Sequence, residues 1–455
     1  MSYGPSDFDS APTRYSRLAR GPLGKAAATI NGLWLSLRVA LALPPTIPAE
    51  LVRPLRLFLI DGALGKVSDQ IALTFTPLYA LAWGATNLQI GILAATASLA
   101  GALALPFANR AAIFWRARRQ LALLGMTGLT RLSYLALIGL PWLAPAPEGR
   151  ERAFLILLLF LAVRSLLSNL AHLTWTAFSV DLAPASVRGA YLHERKDSMV
   201  LAAILTLPIA GLMIRLGGEV MGFPLAFGFA LLAGLGGLAA FAQIPRVDPT
   251  PAAPAAPVRV RLASLRSGAQ PFLYFCAISF VWNLALQFVA PFWNVYLVSG
   301  LGATALGVGV LSAIHLFFGL ASSHLASDVV GQRGAWTVMR ATSLLICLLP
   351  VGWALATAAW QITFLNAASG FLWALYNLAA LRALVSLTPG ETRPTAFRLY
   401  QIVIFISSVI GPLVGGRLAD QVGFQSVFLL SAAGRLVAAL GLWIFIVRLP
   451  AALRS

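Results

Sequence analysis

The segment Gly84-Ala-Thr-Asn-Leu-Gln-Ile-Gly-Ile-Leu93 returns as Gly302-Ala-Thr-Ala-Leu-Gly-Val-Gly-Val-Leu311, in the same place relative to the apolar runs that surround it. A second echo, Pro184-Ala-Ser-Val-Arg188 against Pro389-Gly-Glu-Thr-Arg393, falls at matching points further along. A set of apolar helices written twice constrains the fold to two similar bundles, and in membranes such duplication accompanies two halves moving around a central site. Solute translocation is therefore the first function the sequence suggests.

With 59% hydrophobic and 11% charged residues over 455 positions, the chain is too apolar for one water-soluble core, so lipid is its main solvent. The net charge of +18 raises the question of a nucleic-acid partner. The cations, however, punctuate the ends of apolar runs, where they act as topology signals. No nucleic acid is expected. The partners are the lipid bilayer, a small-molecule substrate and protons.

The apolar runs predict about twelve spans, at 57–83, 87–108, 121–143, 153–178, 198–216, 220–243, 272–299, 303–325, 335–357, 360–386, 396–416 and 424–447. The cations Arg150, Arg152, Arg215 and Arg417 fall on one side, and most of the others in tails and loops of the opposite side. That bias puts both termini in the cytoplasm of a multi-pass membrane protein.

The fold class is all-α integral membrane, with two pseudosymmetric six-helix bundles at 56–243 and 272–448. They are joined by a Pro- and Ala-rich cytoplasmic linker, 244–271, and flanked by an N-terminal tail, 1–55, and a C-terminal tail, 449–455. Residues 1–27 read as a flexible tail without a cleaved leader, and 30–43, ending at Pro44-Pro45, as an interfacial helix. Cys276 and Cys347 lie in apolar spans with no CxxC pairing, which suggests neither a disulfide nor a metal site. No cofactor is expected.

The region from Arg56 to Pro450 resembles the major facilitator superfamily. The signature loop after the second helix is matched loosely by Pro106-Phe-Ala-Asn109-Arg110 with Arg116, Arg118 and Arg119. His324-Leu-Ala-Ser-Asp328-Val-Val-Gly331-Gln-Arg333 matches it better in the second half. Asp181-Leu-Ala-Pro184-Ala-Ser-Val-Arg188-Gly189 is similar to the loop between helices four and five of many bacterial members. Gly411-Pro412-Leu-Val-Gly415-Gly416 is similar to their eleventh helix.

The resemblance implies twelve helices, a central substrate cavity and alternating access. It also implies gating roles for Asn109, Arg110, Asp181, Arg188, Asp328 and Arg333. Asn109 stands where the family usually has an acid, and His324 where it has Gly. The fifth span lacks the glycine-rich pattern of drug/proton antiporters.

Charges inside a bilayer are costly and therefore informative. The first span carries Asp61, Lys66 and Asp69. The fourth carries Arg164, Ser168, His172 and Thr176 at intervals of four, a polar stripe that should face a wet cavity. In the family that the chain resembles the first and fourth helices both line the cavity, which implies an Asp69–Arg164 ion pair, with Lys66 as the competing partner; Asp61 reaches toward cytoplasmic water. Arg131 and Arg435, in the third and twelfth spans, read as supports that hydrogen-bond neighbouring helices.

In the seventh span Asn283, Gln287 and Asn294 recur beside Trp282 and Trp293. In the tenth, Trp373, Tyr376 and Asn377 share a face with Asn366. Amides and aromatics together suit an organic molecule with hydrogen-bonding groups and some flat surface. The substrate and ion set is therefore Asp69, Lys66, Arg164, His172, Asn283, Gln287, Asn294, Trp373, Tyr376 and Asn377.

These residues predict a proton-coupled secondary transporter of a small organic solute, with a tilt toward an anionic or neutral one. A membrane assembly factor or sensor that keeps the transporter fold is the alternative. No Ser/His/Asp set, HExxH or nucleotide motif supports an enzyme or an ATP-driven pump.

Overall fold

A computed structural model of the chain describes residues 47–114, 118–144, 149–247, 270–388 and 393–449. The chain divides at residue 47 into two units, and the longer one, 48–455, is described below. The tail 1–27, the interfacial segment 30–43, most of the linker and the C-terminal tail lie outside the described residues.

The described residues are almost wholly helical, with no strand among them. Helices are the form in which a lipid-facing chain satisfies every backbone group within its own segment. The chain folds as α1 (Ala49–Ala82), α2 (Asn87–Phe114), α3 (Arg119–Leu132, with short turns to Leu143) and α4 (Arg150–Leu182). Next come α5 (Ala185–Gly218), α6 (Met221–Ala242), α7 (Gln270–Ser299) and α8 (Ala305–Arg333). The series ends with α9 (Ala335–Leu355), α10 (Ile362–Ser386), α11 (393–422) and α12 (424–448).

Among the described residues, ten helical stretches are long and apolar enough to cross a membrane. The last of these is broken into α11 and α12 by Gly423, at φ 79°, as α5 and α6 are separated by Gly218, at φ 69°. Adding α1, which its charges keep off a hydropathy criterion, completes twelve. Leu155, Leu159, Leu216 and Leu232 are exposed on the outside, where lipid replaces water as the favourable contact.

Two predicted spans are not continuous. Pro291 forces a 3-10 turn, Ala290–Phe292, into α7, because its ring removes a backbone donor. The third span breaks after Leu132 and again at Gly139.

The sequence repeat marks the closest contacts between the halves. A Cβ on Gly91 of α2 would collide with the carbonyl of Pro412 on α11, and one on Gly309 of α8 with the carbonyl of Leu207, beside Pro208, on α5. Gly416 approaches the Asn87 carbonyl and Gly211 the Ala305 carbonyl in the same way. Gly91 and Gly309 occupy the same place in the repeated segment, as do Asn87 and Ala305. The α2–α11 and α8–α5 crossings are thus one backbone clasp made twice, and only glycine admits it. At the first clasp the Asp420 carboxylate accepts from the backbone N–H of Asn87 (3.1 Å) and Leu88 (2.9 Å), holding the N-terminus of α2.

The second echo is also structural. The Arg188 guanidinium donates to the Ala183 and Val180 carbonyls at 3.0 and 2.8 Å, capping the end of α4. Arg393 donates to the Thr388 carbonyl at 3.4 Å, again five residues back.

Candidate substrate cavity

A central cavity of about 940 Å³ lies between the halves, large enough for a drug-sized organic molecule. The first half contributes Gln70 and Thr74 from α1, Ser98 from α2, and Arg164, Ser165 and Asn169 from α4. The second contributes Asn283, Gln287, Trp293 and Asn294 from α7, His315 from α8, Asn366, Trp373 and Asn377 from α10, and Arg435 from α12. No Asp or Glu is among the described lining residues.

Of the residues expected from sequence, Arg164, Asn283, Gln287, Asn294, Trp373 and Asn377 line this space. Gln287 donates to Ser408 Oγ at 2.6 Å, tying α7 to α11, and Asn294 donates to the Thr74 carbonyl at 3.3 Å, reaching across the two halves. Asn366 donates to the Leu311 carbonyl at 2.9 Å.

Asp69, Lys66, His172 and Tyr376 are not lining residues. Tyr376 is buried against Trp282, ring centroids 5.1 Å apart, and serves as packing beneath Trp373. His172 lies eight residues beyond Arg164, about 12 Å along α4, and its ring stacks on Trp175. The polar stripe on α4 therefore meets the cavity only at Arg164, and the neighbouring lining residues are Leu161, Ser165 and Asn169.

Asp69 pairs with Arg164 (3.0 Å), and also with Arg131 (2.7 Å), both guanidinium groups converging on Oδ1. Lys66 makes no ion pair with it among the described residues. The partner that sequence placed on a support helix, Arg131, takes the position offered to Lys66. Arg131 is held in turn by Ser68 Oγ at 3.1 Å. The Asp69 side chain keeps 43% of its surface accessible despite the two partners.

Asp61 is not turned to water: it is 16% exposed and bonded to Arg195, whose guanidinium lies 4.2 and 4.4 Å from the Phe58 and Trp175 ring centroids. Arg435 is not a helix tie. It is 2% exposed, forms no ion pair among the described residues, lies 5.9 Å from the Trp293 ring and leaves its Nε without a hydrogen-bond partner. The Nε of Arg164 is likewise unpartnered. Sequence missed Arg435, Asn169 and His315 as lining residues; a mid-span arginine with no acid at helical spacing on its own helix was the signal available.

Among the residues of the signature loops, Asp181 pairs with Arg119, joining the end of α4 to the start of α3 within one half. Arg188 caps α4. Asp328 and Arg333 are exposed on α8. The side chains of Asn109 and Arg110 lie outside the described residues.

Residues 340–455 match the model of the Major Facilitator Superfamily. An uncharacterized MFS-type transporter of Bacillus subtilis, YqjV, is 27% identical over 133 residues, 29% of this chain and 32% of that protein. The multidrug resistance protein MdtG of Citrobacter koseri is 27% identical over 163 residues, 35% of this chain and 40% of that protein. The matched stretches thus span well under half the length of these curated relatives.

In structure, the chain is similar to a D-xylose-proton symporter, with a TM-score of 0.66 at 14% identity, covering 88% of this chain and 98% of that one. At such identity the likeness concerns the fold. The C-terminal quarter of the chain is thus similar to the Major Facilitator Superfamily, and the described helices share the fold of that solved transporter, as the sequence resemblance implied.

Proposed function

We propose that this protein is a proton-coupled secondary transporter of a small organic anion carrying a flat or apolar portion. The observation that carries the reading is the pair Arg164 and Arg435, one from each half. Both line a cavity with no acidic residue among its described lining, and each has an unpartnered Nε. Arg435 has no ion partner among the described residues, a costly state for a buried charge that an anionic substrate would relieve, while Arg164 already holds Asp69 and borders the same space. Trp293 and Trp353, which pack against one another at 4.7 Å, supply flat surface beside Arg435, and the amides of α7 and α10 supply directional hydrogen bonds.

Asp69 supplies a coupling device. While ionised it holds Arg164; a proton on the carboxyl weakens that hold and frees the guanidinium for an anion. Anion and proton binding then favour one another, which is the linkage a symporter needs. With the termini cytoplasmic, the two clasps shut the outer end of the cavity, and alternating access opens them. The partners are the bilayer, the solute and protons, with no cofactor and no enzymatic step; the location is the bacterial inner membrane.

Uptake into proteoliposomes tests this reading. An inwardly directed proton gradient should accelerate entry of a cavity-binding anion, and Asp69→Asn should make uptake indifferent to the gradient. Gradient-dependent uptake that persists in Asp69→Asn would remove Asp69 from the coupling step.

A further inference from the structure

At the α5–α8 crossing, at a distance along both helices from the glycine clasp, three side chains of metal-binding type converge. His193 and Asp197 stand one turn apart on α5, and His324 faces them from α8. Both imidazole Nε2 atoms point at the same carboxylate oxygen, Asp197 Oδ2, at 3.5 and 3.3 Å. The candidate ligand atoms all lie within 4.8 Å of one another.

These separations are longer than a normal N–H···O hydrogen bond, about 2.7–3.2 Å. They equal the edge of a tetrahedron: two ligands bound to Zn(II) at about 2.0–2.2 Å stand about 3.3–3.6 Å apart. Asp197 is 8% exposed, yet its Oδ1 has no hydrogen-bond partner, so a buried carboxylate carries an unused oxygen beside two imidazoles. A charge buried in this way needs a counter-charge. The two histidines, 50% and 35% exposed, leave the cluster open for an ion to enter.

The cluster does not belong to the duplicated architecture. The corresponding positions on α11 are Arg398 and Ile402, and the position on α2 is Pro106. It also stands apart from the cavity, since none of its members is a lining residue.

We propose that His193, Asp197 and His324 form a transition-metal site, of Zn(II) type, that joins the two halves of the molecule. Imidazole with one carboxylate is a donor set for Zn(II), and a fourth position remains for water. Because the ligands come from both halves, the bound ion opposes separation of α5 from α8. Its effect on the transport cycle rests on the function proposed above; the binding of the ion does not.

Protein purified without a polyhistidine tag, in nanodiscs of neutral lipid, is dialysed against Zn(II), and bound metal is measured by mass spectrometry. The wild type should bind one equivalent, and His193→Ala, His324→Ala and Asp197→Asn should each weaken binding at least tenfold. X-ray absorption at the zinc edge of the wild type should show two imidazole nitrogens in the first shell, a readout that does not depend on the variants folding. Zn(II) retained by His324→Ala would confine the ion to α5 and overturn the bridge. No bound equivalent in the wild type, or a first shell without imidazole, would overturn the site. Loss of anion uptake with intact Zn(II) binding would count against the transport reading alone.

Discussion

Arg164 of α4 donates to Asp69 of α1 at 3.0 Å while its buried Nε has no partner. The same side chain is thus committed to an internal carboxylate and also lines the cavity. Arg131 completes the group by donating to the same Asp69 oxygen at 2.7 Å, so two cations share one anion. Removing the carboxylate leaves two guanidinium groups facing one another. Asp69→Asn should lower stability by about 2 kcal/mol, below the usual cost of breaking a buried pair because the carboxylate is partly accessible. A thermal melt in detergent checks it; an unchanged midpoint would mean that water already screens the pair.

Arg435 is the clearest separation of stability from function. A buried arginine without an acid is a cost to the fold, and an apolar side chain of similar length would lift it. Arg435→Met should raise the unfolding free energy by about 1–3 kcal/mol while weakening anion binding by roughly 10- to 100-fold, the loss of one charged hydrogen-bonding group. Thermal melts and ligand titration of the same preparation measure both.

The glycine clasps predict a graded effect of side-chain size. Gly91→Ala and Gly309→Ala each place a methyl group against a backbone carbonyl that cannot swing aside. Each should cost about 1–3 kcal/mol in the clasped state and shift the population toward a conformer parted at that crossing. Spin-label distances across α2–α11 would lengthen in the first variant; unchanged distances would show that the clasp tolerates a methyl group.

Asp420 predicts a smaller change at the same place. Its carboxylate holds two backbone donors at the N-terminus of α2, so Asp420→Ala should cost about 1 kcal/mol and loosen the α2–α11 clasp without touching α5–α8. Hydrogen exchange at Asn87 and Leu88 is the direct readout.

Much of this architecture was legible in sequence because period and duplication are local properties. The repeat at Gly84 and Gly302 revealed the duplication, but only the structure shows that Gly91 and Gly309 within it are where α2 meets α11 and α8 meets α5. The amides of α7 lay where a helical face predicted them, at Asn283, Gln287 and Asn294. His172 failed for a different reason. It continues the stripe from Arg164, but helical periodicity reports direction around an axis and not depth along it, and the cavity ends before His172. The choice of Arg131 over Lys66 as the second partner of Asp69 was also illegible, since it depends on how α3 packs on α1. Arg435 looked like a support because nothing on its own helix shows which residues of α7 face it.

The central claim is that the cavity binds an organic anion through Arg164 and Arg435. The most direct measurement is a thermal-shift screen of the purified protein against organic anions, sugars, amino acids, cationic drugs and neutral lipophilic compounds, repeated on Arg435→Gln. At about 100 times its dissociation constant a ligand adds about 2.7 kcal/mol. The account predicts stabilisation by an anion bearing a flat or apolar group, lost in the variant. Stabilisation by a cation or a sugar, equal in the wild type and in Arg435→Gln, would contradict it.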